Sequence, residues 1–211
     1  TKESLKRLLK RRKDLLAWSP YITGQILMGR GSQSSGAVLK GIDPVGEPRV
    51  AALANKLLTG TWTDLETPLK TGEKPKIILG QELARNLGAR LGDTVWAMTP
   101  GTTGFSPLSL PKAFLFTVSG IVQTGLYDYD SSLAYVNIDK AQTLFNMRKE
   151  VTGVGVRIKN PDVAEGLARR MQTEFAGAYW VRSWLSLNKN LFSALKLEKT
   201  VMFIILTLIT L

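Results

Sequence analysis

The 211-residue chain contains no histidine and no cysteine. Those two absences exclude imidazole acid–base catalysis, a Ser-His-Asp triad, a thiolate nucleophile and any Cys/His zinc site. Disulfides are excluded as well, which suits an oxidising or a reducing compartment equally. Carboxylate, lysine, serine and tyrosine chemistry remain. Acidic residues are also in short supply: 17 Asp and Glu against 28 Lys and Arg leave a net charge of +11. Such an excess can neutralise phosphates. Here, however, Lys2, Lys6, Arg7, Lys10, Arg11, Arg12 and Lys13 crowd one N-terminal segment. The remaining basic residues form no stripe interleaved with aromatics, so nucleic acid is not an expected partner. The N-terminal run reads as the solvated face of a helix.

Long hydrophobic runs are scarce too. The basic N-terminus has no apolar segment behind it and does not read as a secretory signal. Residues 200–211 are all apolar or Thr, but these 12 residues fall short of the roughly 20 that span a bilayer. An interior helix would show a polar face, and this one has only threonines, whose hydroxyls can turn back onto carbonyls of the preceding turn. The run therefore reads as the start of a membrane helix.

What is present is ordinary for a folded chain, with 44% hydrophobic and 21% charged residues. Leucine spacing predicts a helix over 2–17. Strand-like runs at 21–28 and 36–42 flank a Gly/Ser-rich tip at 29–35 and predict a hairpin. A helix over 50–58, a strand over 76–79, a helix over 81–91 and strands over 94–98 and 114–123 follow. Between those last two strands, Pro100, Pro107 and Pro111 stiffen a projecting loop. A strand over 133–138 leads to a helix capped by Asp139. A β-α-β unit is then expected: strand 154–158, helix 161–175 with Asn160 as cap, and strand 179–184. A continuous helix from about Ser186 runs into the apolar end.

The pattern predicts an α+β fold, with residues 1–40 and 139–185 forming a discontinuous split β-α-β subdomain. Residues 41–138 form an inserted, strand-rich subdomain, and 186–211 a helix leading into a truncated transmembrane segment.

Several segments carry a family resemblance: Leu39-Lys-Gly-Ile-Asp-Pro44, Ile77-Ile-Leu-Gly-Gln-Glu-Leu-Ala84, Leu87-Gly-Ala-Arg-Leu-Gly-Asp93, Val118-Ser-Gly-Ile-Val122, Ala134-Tyr-Val-Asn-Ile138 and Leu195-Lys-Leu-Glu-Lys199. From Ser19 onward the chain resembles the LolC/LolE lipoprotein-releasing permeases, within the wider MacB/FtsX-like permease group. Residues 1–18 match poorly. The resemblance implies the periplasmic domain of a bacterial inner-membrane ABC permease, lying between the first and second of four membrane helices. That domain is built of a porter and an inserted sabre; the family's first membrane helix and first porter strand have no counterpart here. It also implies a separate ATP-binding subunit, a second permease copy or paralogue, a lipoprotein substrate and a LolA-like periplasmic chaperone. The wider group leaves open small-molecule export or regulation of a cell-wall hydrolase.

In chaperone-recruiting members of the family the corresponding loop hooks the carrier, which implies a carrier-binding role for Pro100, Phe105, Pro107, Leu108, Leu110, Pro111 and Lys112. Independently, a proline-stiffened loop loses less entropy on binding, and Phe105, Leu108 and Leu110 are apolar groups on a loop. The alternative is that they fold back onto the sheet. Where relatives have basic or amide neighbours, this sequence has Trp96, Ala113 and Phe114. Trp180, Trp184, Leu187, Leu191, Phe192 and Leu195 offer apolar surface for a substrate path or a membrane interface, with ordinary packing as the alternative for the tryptophans.

Other signals dissolve on inspection. Ser193-Ala-Leu-Lys196 and Lys70-Thr-Gly72 stand in reverse order for a serine acyl-enzyme and lack an intervening S-D-N. Gly29-Arg-Gly-Ser-Gln-Ser34 lacks the third glycine of a dinucleotide loop and leads into a strand. Asp128-Tyr-Asp130 begins like a calcium loop, but Leu133 replaces the turn glycine and Asp139 the bidentate Glu. There is no phosphate-binding loop of the ATPase type. A non-catalytic domain without metal or cofactor is expected.

Overall fold

A computed structural model describes residues 15–66, 72–99, 113–147, 150–175 and 179–210. Residues 2–14 of the helix expected over 2–17 lie outside them. The chain divides into two compact units, Thr1–Arg157 and Ile158–Leu211.

The first unit is a mixed sheet of eight strands: β1 (Leu15–Arg30), β2 (Gln33–Ile42), β3 (Leu57–Thr59), β4 (Lys76–Gly80), β5 (Thr94–Met98), β6 (Phe114–Val122), β7 (Leu133–Asn137) and β8 (Gly153–Ile158). Six of them pair in a closed ring, β1-β2-β7-β4-β6-β5 and back to β1. The β2–β7 and β4–β6 pairs are parallel and the rest antiparallel. Closure depends on the length of β1. All of Tyr21–Arg30 pairs with β2, while Leu27–Gly29 also pairs with β5 on the other edge. β8 lies beside β1, and β3 pairs with β6. Hydrogen bonding thus crosses the boundaries at residues 40 and 138 suggested by the sequence pattern.

Alternation builds the core. Ile26 and Met28 of β1, Leu39 of β2, Ile77 and Leu79 of β4, Val95 of β5, Phe116 of β6 and Val136 of β7 are all buried in one cluster. Leu83 and Leu87 join it from helix α2 (Gln81–Asn86) and its end, and Ala141 and Leu144 from helix α4 (Ile138–Leu144). Each large side chain so buried contributes about 1.5–3 kcal/mol. The opposite faces of β4 and β7 carry a second cluster, in which Ile78 and Tyr135 sit with Leu53, Trp62 and Leu65. Trp62 meets Tyr135 edge-on at 5.4 Å. A bulge in β6 serves both cores: Ile77 pairs with Val118 but Ile78 with Gly120, so Ser119 is the extra residue. Val118 consequently packs in the first core and Val122 in the second, although their even spacing would put both on one face.

The hairpin 21–42 forms as the sequence predicts, with a tighter tip: only Gly31 and Ser32 separate the strands, and Gly31 takes φ +58°. Arg30 ties this tip to the turn before β5, donating to the Gly88 carbonyl at 3.0 Å and pairing with Asp93 at 3.1 Å. Other elements depart from expectation. Residues 15–17 belong to β1 rather than to a helix. The helix expected over 50–58 is instead α1 (Glu47–Val50), followed by turns and β3. Ala52 there is left-handed (φ +56°), and the segment's carbonyls serve other partners, Leu53 O accepting from Trp62 Nε1 and Lys56 O from Gln123 N. Helix α2 stops at Asn86 because Gly88 turns left-handed and Ala89 N–H closes onto Ala84 O. Asn137, not Asp139, caps α4, accepting from the Asp139 N–H. A one-turn helix, α3 (Tyr127–Asp130), precedes β7.

In the second unit, Asn160 caps a 3-10 turn, Pro161–Val163, that opens into α5 (Ala164–Glu174). The strand expected over 179–184 is absent: the Gln172 side chain donates to Tyr179 O and accepts from Val181 N–H, occupying backbone groups a ladder would need. The final helix is interrupted at Asn188, between α6 (Trp184–Leu187) and α7 (Lys189–Thr210).

Candidate functional site

Two antiparallel strands hold the loop that the sequence marks as a contact site. The β5–β6 register ends at Ala97 opposite Phe114, so the two ends of the intervening segment are anchored on paired strands. Pro100, Phe105, Pro107, Leu108, Leu110, Pro111 and Lys112 themselves lie outside the described residues.

The ground beside that anchor is described and is apolar. Val95 and Ala97 point into the core, which puts Trp96 and Met98 on the opposite face. Leu27 pairs with Met98, Gly29 with Trp96, and Trp96 with Leu115, so these side chains share one outer face across three strands. Leu27 is 42% and Leu115 47% exposed, while Trp96 lies over Gly29, where no Cβ intervenes. Phe114 packs against the core instead. The sequence singled out Trp96 as a departure from the family pattern; Leu27 and Leu115 were missed, although each falls on the solvent phase of its strand's alternation.

The apolar residues near the chain's end belong to the second unit. Trp184 opens α6 behind the cap Ser183, whose hydroxyl accepts from Ser186 N–H and donates to Glu165. Trp184 is 64% and Leu187 61% exposed. Trp180 is also exposed, with the Arg182 guanidinium 5.7 Å from its ring. Leu191, Phe192 and Leu195 lie within α7, and their side chains are not among those described. Beyond them Val201–Ile209 is exposed round the helix, and Thr207 and Thr210 return their hydroxyls to Phe203 O and Leu206 O. Among the described residues no helix is long and apolar enough to cross a membrane.

Chemistry of the remaining polar groups is structural. Asp130, from the calcium-like run, is buried and accepts from Thr124 N–H, Thr124 Oγ1 and Gly125 N–H at 2.7–3.2 Å. No three His, Cys, Asp or Glu gather for a metal among the described residues. Burial, and then the nearby Glu47, Asp130 and Tyr129 charges, hold the Tyr135 phenol far above its ordinary pKa, so it stays neutral in the second core.

Comparison with known proteins gives this frame a family. Residues 1–174 match the MacB-like periplasmic core domain. The chain is 38% identical over 98% of its length to the lipoprotein-releasing system transmembrane protein LolC of Neisseria meningitidis, and 38% identical over 90% to LolC of Xylella fastidiosa. LolE of Haemophilus influenzae is 22% identical over 98%. The chain spans about half the length of these relatives, 49%, 45% and 48% respectively. In fold it is similar to the extracellular domain of the ABC-type transporter YknZ from Gram-positive bacteria (TM-score 0.53, 19% identity, 86% of this chain and 85% of that one). It is likewise similar to the periplasmic region of MacB from Actinobacillus actinomycetemcomitans (TM-score 0.52, 19% identity, 82% and 74%). With its mixed α+β sheet and flanking helices, the chain belongs to the MacB-like periplasmic core domain family, as a permease domain related to LolC and LolE.

Proposed function

We propose that the chain is the periplasmic domain of an inner-membrane ABC permease that releases lipoproteins and passes them to a LolA-like periplasmic carrier. The observation that carries this reading is the 38% identity to a lipoprotein-releasing LolC across nearly the whole chain. A separate ATP-binding subunit and a second permease copy or paralogue belong to the same reading. In it, the loop with Pro100, Phe105, Pro107, Leu108, Leu110, Pro111 and Lys112 docks the carrier. Anchorage on the β5–β6 pair supports this, because a tethered, proline-stiffened loop is ordered at low entropic cost. The outer face at Leu27, Trp96 and Leu115 would supply apolar contact where relatives use polar groups.

Trp184, Leu187, Leu191, Phe192 and Leu195 form the substrate path. Lys189–Thr200 of α7 separates Trp184 from the apolar run, about 18 Å of helix at 1.5 Å per residue. That distance favours a path above the bilayer over an interfacial anchor. α7 itself couples the domain to the membrane.

Co-purification of the chain with a LolA-type carrier tests the reading. Carrier should be retained, and Phe105→Ala should weaken it about tenfold or more, as loss of a buried aromatic anchor does. A folded chain that retains no carrier, or a Phe105→Ala variant that binds unchanged, removes the carrier assignment and leaves an exporter-type permease.

A further inference from the structure

One groove of the first unit takes no part in the carrier reading. It has a volume of about 570 Å³, inside the roughly 300–1,000 Å³ range of ligand pockets, and runs between the start of β1 and the segment after α1. Its apolar lining includes Leu16, Pro48 and Ala52, and its polar lining Arg49, Lys56 and Arg157, with no acidic residue. None of the three cations forms an ion pair among the described residues. Arg157 is fixed across the groove, its Nη1 donating to the Arg49 carbonyl at 2.9 Å, which leaves further guanidinium donors free. Ala52 on its wall holds φ +56°, a conformation costly for a residue with a Cβ and found preferentially at ligand sites.

We infer that this groove binds an anionic amphiphile, its acyl chain along Leu16, Pro48 and Ala52 and its phosphate or carboxylate head held by Arg49, Lys56 and Arg157. Cations alone would suit a free anion and an apolar trough alone a neutral chain; the two side by side select a molecule with both parts. Carrier docking plays no part in this inference.

The test is an amide-shift titration of the 211-residue chain with dodecyl phosphate below its micelle concentration. Dodecylphosphocholine, inorganic phosphate and hexaglutamate are titrated in parallel. Dodecyl phosphate should shift Ala17, Ala52, Asn55 and Arg157, and should bind about tenfold or more weakly to Lys56→Glu and to Arg49→Gln/Arg157→Gln, each confirmed folded by thermal melting. Lys56 is exposed, so its charge reversal keeps the test valid if the double variant unfolds. Equal binding of dodecylphosphocholine, or shifts confined to residues 201–210, would overturn the proposal. Inorganic phosphate binding as tightly would reduce the site to a free-anion site. Hexaglutamate shifting the same amides as strongly would replace the amphiphile with an acidic polypeptide.

Discussion

Lys40 Nζ stands 2.5 Å from Glu47 Oε1, and the carboxylate it neutralises is only 2% exposed, with Oε2 buried and accepting no hydrogen bond among the described residues. The pair joins β2 to α1, and Lys40 also lies 5.1 Å from the centre of the Tyr21 ring. A buried charge that loses its partner is far costlier than a pair replaced whole. Lys40→Met should therefore cost about 3–5 kcal/mol in urea unfolding. Lys40→Met/Glu47→Leu should recover most of that. If the double variant is as unstable as the single one, the carboxylate is not the source of the loss.

Tyr135 makes stability depend on alkaline pH. Burial foremost, with Glu47 and Asp130 adding to it, raises its folded pKa above the unfolded value of about 10. The native state then holds the proton longer than the unfolded chain. The phenol's contribution is complete below about pH 10 and declines as pH rises beyond it. Tyr135→Phe keeps the edge-on contact with Trp62 and removes the titration. The stability difference between parent and variant should shrink by about 1 kcal/mol between pH 8 and pH 11. A difference that does not change with pH would contradict the assignment.

Two glycines make opposite predictions about rescue. A Cβ on Gly24 would collide with the Phe145 ring, a side chain that can be shortened. At Gly60, where φ is +80°, a Cβ would strike the Ser119 carbonyl and Gly120 Cα, which cannot retreat. Gly24→Ala and Gly60→Ala should each cost about 1–3 kcal/mol. Phe145→Leu should relieve the first only, as read by thermal melting of the double variants.

Deleting Ser119 tests the bulge. Its removal would leave Val118 and Val122 an odd number of residues apart, so that strict alternation alone keeps Val122 toward Trp62 and Leu65. A cost within about 0.5–3 kcal/mol is expected in urea unfolding, since no buried side chain changes face, and a larger loss would show that the bulge itself is needed. Replacement of Ser119 by Ala, which keeps the extra residue, should cost under about 1 kcal/mol.

Elements with a strong period were legible in the sequence. The hairpin 21–42, the strands at 76–80, 94–98 and 133–137, and the Asn160 cap all appear within a residue or a few of where the pattern put them. What escaped depended on partners distant in sequence. Residues 50–58 have helical composition, yet Trp62 and Gln123 draw their carbonyls elsewhere. Residues 179–184 have the aromatic and β-branched content of a strand, but Gln172 occupies backbone groups of Tyr179 and Val181. Nothing local to β1 announces that it borders β2, β5 and β8 together. The candidate site divides similarly. Its prolines were readable one by one, whereas the face shared by Leu27, Trp96 and Leu115 exists only through register between three strands. The groove at Arg49, Lys56 and Arg157 joins residues 108 positions apart.

Ring closure also sets when the domain can form. β1 must find β5, some 70 residues later, and β8, well over 100 residues later. Such separations raise contact order and slow folding, because loop-closure entropy is lost before the contacts that repay it are made. An emerging chain truncated before residue 153 would hold β1 with an unpaired edge. The domain should therefore acquire native protection from amide exchange in one late step, only after β8 has been synthesised, rather than progressively from the N-terminal hairpin.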